Sequence, residues 1–230
     1  MTAHDAEKLG RVASLVARVR LGRGLGADCP ATAGFFEKIL RDAVSVAAAG
    51  SEDNVLQLGV ETRTLPWLSP VCRQVTVLDD FSEADLVRLE AQARTQGLGN
   101  VQFKWWSTGA IAAPQGTADR VLAVNFLYRS RDPEAACREI VWASHHACRV
   151  IVCEPSASLD DRTARKYSRE ADLDMRDHRA LVAYARSAAV LRRFSREGLT
   201  ALLTRSGMTG VEVREELHGL VLLAVARVEF

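Results

Sequence analysis

The stretch VLQLGVETRTLPWL, from Val55 to Leu68, followed by QVTVLDDFSEADL, from Gln74 to Leu86, decides the fold of this chain. It reads as a strand, a turn, a helix and a second strand that ends in acid. This is the opening of a doubly wound α/β unit. There the first strand brings backbone N–H groups to a ligand at its carboxyl end, and an acid at the tip of the second accepts hydrogen bonds from ribose hydroxyls. Asp79 stands at that tip. The turn carries only Gly59, with Glu61 and Arg63 where close approach of backbone to a ligand favours glycine.

On the amino side, residues 6–22 place Leu9, Val12, Leu15, Val16 and Val19 at helical spacing. Residues 31–48 do the same with Phe35, Phe36, Ile39, Leu40, Val44 and Ala47, so two amphipathic helices precede the sheet. On the carboxyl side a helix is expected over Ser82–Gln96, with Ser82 as N-cap, Asp85 completing a weak capping box and Gly97 closing it. Strands follow at Val101–Trp105 and Asp119–Phe126, the latter apolar enough to be covered on both faces. A helix starts at Asp132 and Pro133 and ends near Ser144, and a fifth strand spans Arg149–Cys153. The charged segment 160–193 reads as an inserted helical lid before a helix over Ser195–Ser206, and the chain closes in a hairpin that turns at Leu217, His218 and Gly219. The expected fold class is α/β: a doubly wound, Rossmann-like, mostly parallel sheet with an antiparallel C-terminal strand, plus N-terminal helices and a helical lid. Residues 1–50 form an N-terminal helical extension in this scheme, and 51–230 the α/β domain.

Composition narrows the functional classes. At 230 residues, 48% apolar and 26% charged, the chain suits one sizeable core. Thirty basic against 29 acidic residues give a net charge of +1, which argues against a nucleic-acid partner, although Arg11, Arg18, Arg20 and Arg23 make the first helix locally basic. Five cysteines, at 29, 72, 137, 148 and 153, show no CxxC spacing, and the first residues lack the apolar core of a signal peptide. A cytoplasmic protein with free thiols and no metal site is expected, with Cys153 a small apolar residue in a buried strand. No apolar run reaches the roughly 18 residues that span a bilayer, so no membrane partner is expected.

Three phrases, VLQLGVETR (55–63), VTVLDDFSEADLVRLEAQARTQGLGNVQF (75–103) and FKWWSTGAIAAPQGTADRVLAVNFLYRSRDPEAACREI (103–140), carry a resemblance. Over about residues 53–227 the chain resembles the class I S-adenosylmethionine-dependent methyltransferases, especially the small-molecule branch that includes the ubiquinone-pathway C-methyltransferases. Against that family's VLDLGCGTG, Val55, Leu56, Leu58, Gly59 and Thr62 agree, while Gln57, Val60, Glu61 and Arg63 depart. The resemblance implies S-adenosylmethionine as cofactor, a small-molecule substrate, and a cofactor-binding set of Gly59, Glu61, Asp79, Asp80, Ser107, Thr108 and Asn125. In it Asp79 is the ribose acid and Asn125 lies near the methionine end. Trp106 and Ser107 replace a glycine and the aspartate that contacts the adenine amino group, and His146, Ala147 and Cys148 replace the family's PGG turn.

Methyl transfer from a sulfonium is an in-line displacement, so alignment dominates and a base is needed only when the acceptor must lose a proton. Two residues are candidate catalytic groups. His178 lies in the lid, four residues after Asp174, whose carboxylate can orient the imidazole on a helix; the alternative is a solvated helical face. Tyr128 follows the fourth strand on the ligand side of the sheet; the alternative is packing against the lid. His145 and His146 are read as capping a helix end, and Trp105 and Trp106 as facing opposite sides of a strand, one in the core and one bordering the adenine site. The expected function is S-adenosylmethionine-dependent methyl transfer to a small organic molecule. The alternatives are a methyltransferase-like fold that catalyses cyclisation or decarboxylation, and a non-catalytic partner subunit. A homodimer or heteromer through the N-terminal helices is left open, with Phe35, Phe36 and Ile39 available for a dimer contact if their helix does not bury them within one chain. Side chains filling the space above Gly59 favour the partner subunit.

Overall fold

The computed structural model describes residues 34–59, 61–106 and 115–230. The helix expected over 6–22, with Arg11, Arg18, Arg20 and Arg23, lies outside the described residues, as do Cys29, Val60, Ser107 and Thr108.

Five parallel strands, β1 (Asn54–Leu58), β2 (Gln74–Asp79), β3 (Val101–Trp105), β4 (Ala118–Val124) and β5 (Ser144–Pro155), are followed by β6 (Met208–Glu216) and β7 (Val221–Val228). The sheet order is β3-β2-β1-β4-β5-β7-β6, with β7 antiparallel to both its neighbours. Winding proceeds outward from β1 to β3, then returns to β4 on the other side of β1. The crevice between β1 and β4 is therefore the topological switch point, where ligands bind in open α/β sheets.

The helices are α1 (Glu37–Ala47), α2 (Leu65–Leu68), α3 (Glu83–Thr95), α4 (Pro133–Ala143), α5 (Asp161–Glu170), α6 (Met175–Val190) and α7 (Arg196–Arg205). The capping box of α3 forms in full, with Ser82 Oγ accepting from the Asp85 amide and Asp85 accepting from the Ser82 amide. Two helices, α5 and α6, make the insertion between β5 and α7 that the charged segment predicts. The C-terminal hairpin turns through Leu217, His218 and Gly219, all at positive φ.

Three expectations change. β5 starts at Ser144 rather than Arg149, so His145 and His146 are exposed strand residues and not a helix cap, and His146 Nδ1 accepts from the Phe230 amide. The helix expected over 31–48 runs over Glu37–Ala47 after a 3-10 turn at Gly34–Phe36, and Phe35, Phe36 and Ile39 are buried in the same core as the sheet. Buried within one chain, these three residues are not available for the dimer contact considered for them. Arg149 Nη1 also donates to the Val46 carbonyl, so residues 34–47 share one core with the α/β layers. Among the described residues, no helix is long and apolar enough to cross a membrane.

Candidate functional site

β1, β2, β3, β4 and β5 run parallel, so Gly59, Asp79, Trp106, Asn125 and Glu154 gather at one edge of the sheet. Gly59 has φ +92 and packs so closely on β4 that an added Cβ would lie 2.5 Å from the Val124 carbonyl oxygen. This turn needs glycine for both its conformation and its clearance. After it the chain folds onto itself. Buried Gln57 donates to the carbonyls of Gly59 (3.3 Å) and Glu61 (2.8 Å), and the Thr64 hydroxyl lies within hydrogen-bond distance of Gln57 Oε1 and the Glu61 carbonyl. Glu61 is buried and held by Arg63 through Nε–Oε1 at 3.0 Å and Nη2–Oε2 at 3.2 Å. Burial pushes the Glu61 carboxyl above the usual range, while Arg63 opposes the shift. An ion pair thus replaces the open glycine turn.

Asp79 stands at the tip of β2, as the strand pattern predicts. Its Oδ1 accepts from the Asp80 amide at 2.8 Å, and its Oδ2 is bound at 2.8 Å by Nη2 of Arg129. Arg129 ends the 3-10 turn Leu127–Arg129 that follows β4, and its Nε donates to the Asn125 carbonyl at 2.7 Å. The same Nη2 lies 3.5 Å from where a Cβ on Gly59 would stand, so the guanidinium lies across the glycine as well as on the acid. Asn125 takes the left-handed conformation at φ +51; its amide donates to the Cys153 carbonyl, and its side-chain oxygen accepts from the Tyr184 hydroxyl of α6 at 2.6 Å. The lid and the switch point are joined through this amide.

The turn after β4 is fixed from beneath. Glu154, fully buried near the end of β5, accepts from the backbone amides of Phe126 (3.0 Å), Leu127 (2.7 Å) and Tyr128 (3.0 Å). Its pKa is pushed up to about 7 by burial, against the pull of the three amides and of Arg129. Trp106 is buried against Phe126 with ring centroids 4.9 Å apart, and its indole N–H donates to Glu139. Trp105 points outward and is half exposed.

The two candidate catalytic residues have different neighbours. Tyr128 is buried on the ligand edge with its ring edge-on to Tyr184 of the lid, the packing alternative weighed for it. His178 is half-buried on α6, with Nδ1 2.7 Å from Ser168 Oγ of α5. Asp174 does not orient it: that carboxylate caps α6 by accepting from the Asp177 amide, since the first-turn N–H groups have no partner within the helix. Asp80 is exposed beside Asp79. Gln57, Arg129, Glu154 and Tyr184 escaped the sequence reading, although a lone acid closing the apolar run RVIVCEP is a signal for Glu154. Cys153 is buried in β5 as expected, with its thiol pushed up by burial, and the thiols of Cys137 and Cys148 rise to about 12 and about 11 for the same reason. Among the described residues, no group of His, Cys, Asp and Glu has metal-site geometry.

No family model and no curated protein matches the chain. Its fold does match many solved structures. An S-adenosylmethionine-dependent methyltransferase from Aquifex aeolicus superposes with a TM-score of 0.60 at 15% identity, covering 95% of this chain and 97% of the other. The N-methyltransferase NodS from Bradyrhizobium japonicum, in complex with S-adenosyl-L-homocysteine, gives 0.56 at 17%, covering 86% and 89%. The [4+2]-cyclase SpnF gives 0.62 at 14%, covering 84% and 80%. The chain therefore has the class I methyltransferase fold, the Rossmann-like mixed sheet that these proteins share.

Proposed function

We propose that the chain binds S-adenosylmethionine at the switch point and methylates a small organic molecule beneath the lid. The observation that carries this reading is the position of Asp79: an acid at the tip of β2, beside a close-packed left-handed Gly59, in a fold whose relatives include methyltransferases. Asp79 Oδ2 would take the ribose hydroxyls and Asn125 would border the methionine end. Trp106, buried at the end of β3, would border the adenine. The cofactor would supply an electrophilic methyl group for an acceptor lone pair. The chain's own part is to align and to exclude water, the work of Tyr128 and Tyr184, packed edge to face between sheet and lid. His178 is the residue of the lid suited to take a proton from the acceptor, through the Nε2 opposite the nitrogen that meets Ser168.

A second reading rests on the guanidinium above Gly59 and the Glu61–Arg63 pair in the turn. Side chains at both places favour a methyltransferase fold that no longer transfers methyl groups, a partner subunit ahead of a cyclase or decarboxylase. SpnF shows that the fold is compatible with a reaction named as cyclisation.

Calorimetric titration with S-adenosylmethionine and S-adenosylhomocysteine separates the two. Binding in the micromolar range that disappears in Asp79→Ala is the expected result; absence of heat at millimolar ligand removes the cofactor and leaves the second reading.

A further inference from the structure

We propose that Arg129 is an internal latch on this site: its guanidinium holds the place of the ribose on Asp79, and an adenosyl ligand binds only after that side chain has swung away. This rests on the cofactor reading above and adds the residue that controls access to it.

The geometry supports a latch more than a permanent brace. Oδ1 of Asp79 accepts from the Asp80 amide and Oδ2 is held by Arg129, so a hydroxyl that reaches Oδ2 must compete with the guanidinium. The guanidinium also covers Gly59, the residue whose missing side chain opens the way to the backbone. A single side chain thus blocks both contacts.

The backbone that carries Arg129 does not need to move for release. Glu154 fixes the amides of 126–128, and Asn125 is held on one side by the Cys153 carbonyl and on the other by the Tyr184 hydroxyl. Only side-chain torsions of Arg129 must change. Its side chain and that of Asp79 keep 19% and 12% of their exposure, which leaves a path into solvent where a freed guanidinium is hydrated. Release breaks charge-assisted contacts that include those to the Asp79 carboxylate and the Asn125 carbonyl, and these favour the closed form. Apparent affinity falls by the fraction of molecules in the open form, so a closed form favoured about tenfold weakens binding about tenfold.

The test is titration of the full chain with S-adenosylhomocysteine, comparing wild type with Arg129→Met and Arg129→Lys, each checked for native circular dichroism. Arg129→Met keeps the apolar stem and removes the charge; Arg129→Lys keeps the charge but cannot span Asp79 and the Asn125 carbonyl with one planar fork. Arg129→Met should bind about ten times tighter than wild type and Arg129→Lys to an intermediate degree. If Arg129→Met does not fold, Arg129→Lys decides. Equal or weaker binding by the folded variants, with wild type binding, overturns the latch and leaves the cofactor in place. No binding by wild type or by any variant overturns the cofactor, and the latch falls with it.

Discussion

At Gly59 two independent constraints fall on one residue. Alanine there would meet the Val124 carbonyl oxygen at 2.5 Å and would hold an unfavourable φ of +92. Gly59→Ala should cost about 3 kcal/mol, combining the left-handed conformation with overpacking of the β1–β4 contact, and urea unfolding would measure it. Gln57 poses the opposite problem. The resembling family places an aspartate there, but this amide donates to two carbonyls, which no carboxylate can do. Gln57→Glu should therefore destabilise by about 2–3 kcal/mol or more at neutral pH, through a buried acid facing two acceptors, with the loss shrinking at acidic pH as the side chain protonates. Asp79 was legible because a strand-terminal acid stands out against apolar alternation. Arg129 was not: a charged residue in a loop carries no periodicity, and nothing in LYRSRD says which arginine turns inward.

Among the elements, local signals were the most readable. The capping box of α3, the left-handed closing glycine and the three-residue hairpin turn all depend on neighbours a few positions apart, and all formed. The lid shows where this stops. The sequence placed a charged helical insertion between β5 and α7, but not its long-range contacts: Asp177 of α6 accepts from the amides of Gly34 and Phe35, some 140 positions away. Long-range contacts of this kind leave no local pattern. Asp177→Ala should lower stability by about 1–2 kcal/mol and speed proteolysis near residues 34–36, whereas Asp174→Ala, which removes only a helix cap, should cost about 1 kcal/mol and leave that cleavage rate unchanged. Equal cleavage rates in the two variants would show that Asp177 does not anchor the segment.

For the whole molecule the buried acid of β5 imposes a dependence on pH. Glu154 has a folded-state pKa of about 7 against an ordinary 4.5. Its neutral form is thus favoured in the folded chain, so its contribution is complete below the unfolded-state value and is lost as pH rises through about 7. Stability should fall by up to about 3 kcal/mol between pH 5 and 8, with Glu61, also raised by burial, adding a slope of the same sign. Urea midpoints across that range should show the decline in wild type and a flatter profile in Glu154→Gln; identical slopes would remove Glu154 as the source. The grip of this one carboxyl on three consecutive amides has a further consequence. Surface turns normally exchange their amide protons within seconds to minutes, through local fluctuations. Phe126, Leu127 and Tyr128 are tethered instead to an interior strand, so their protons should exchange as slowly as those of β4 and β5, and hydrogen–deuterium exchange should find in this turn a reporter of global opening.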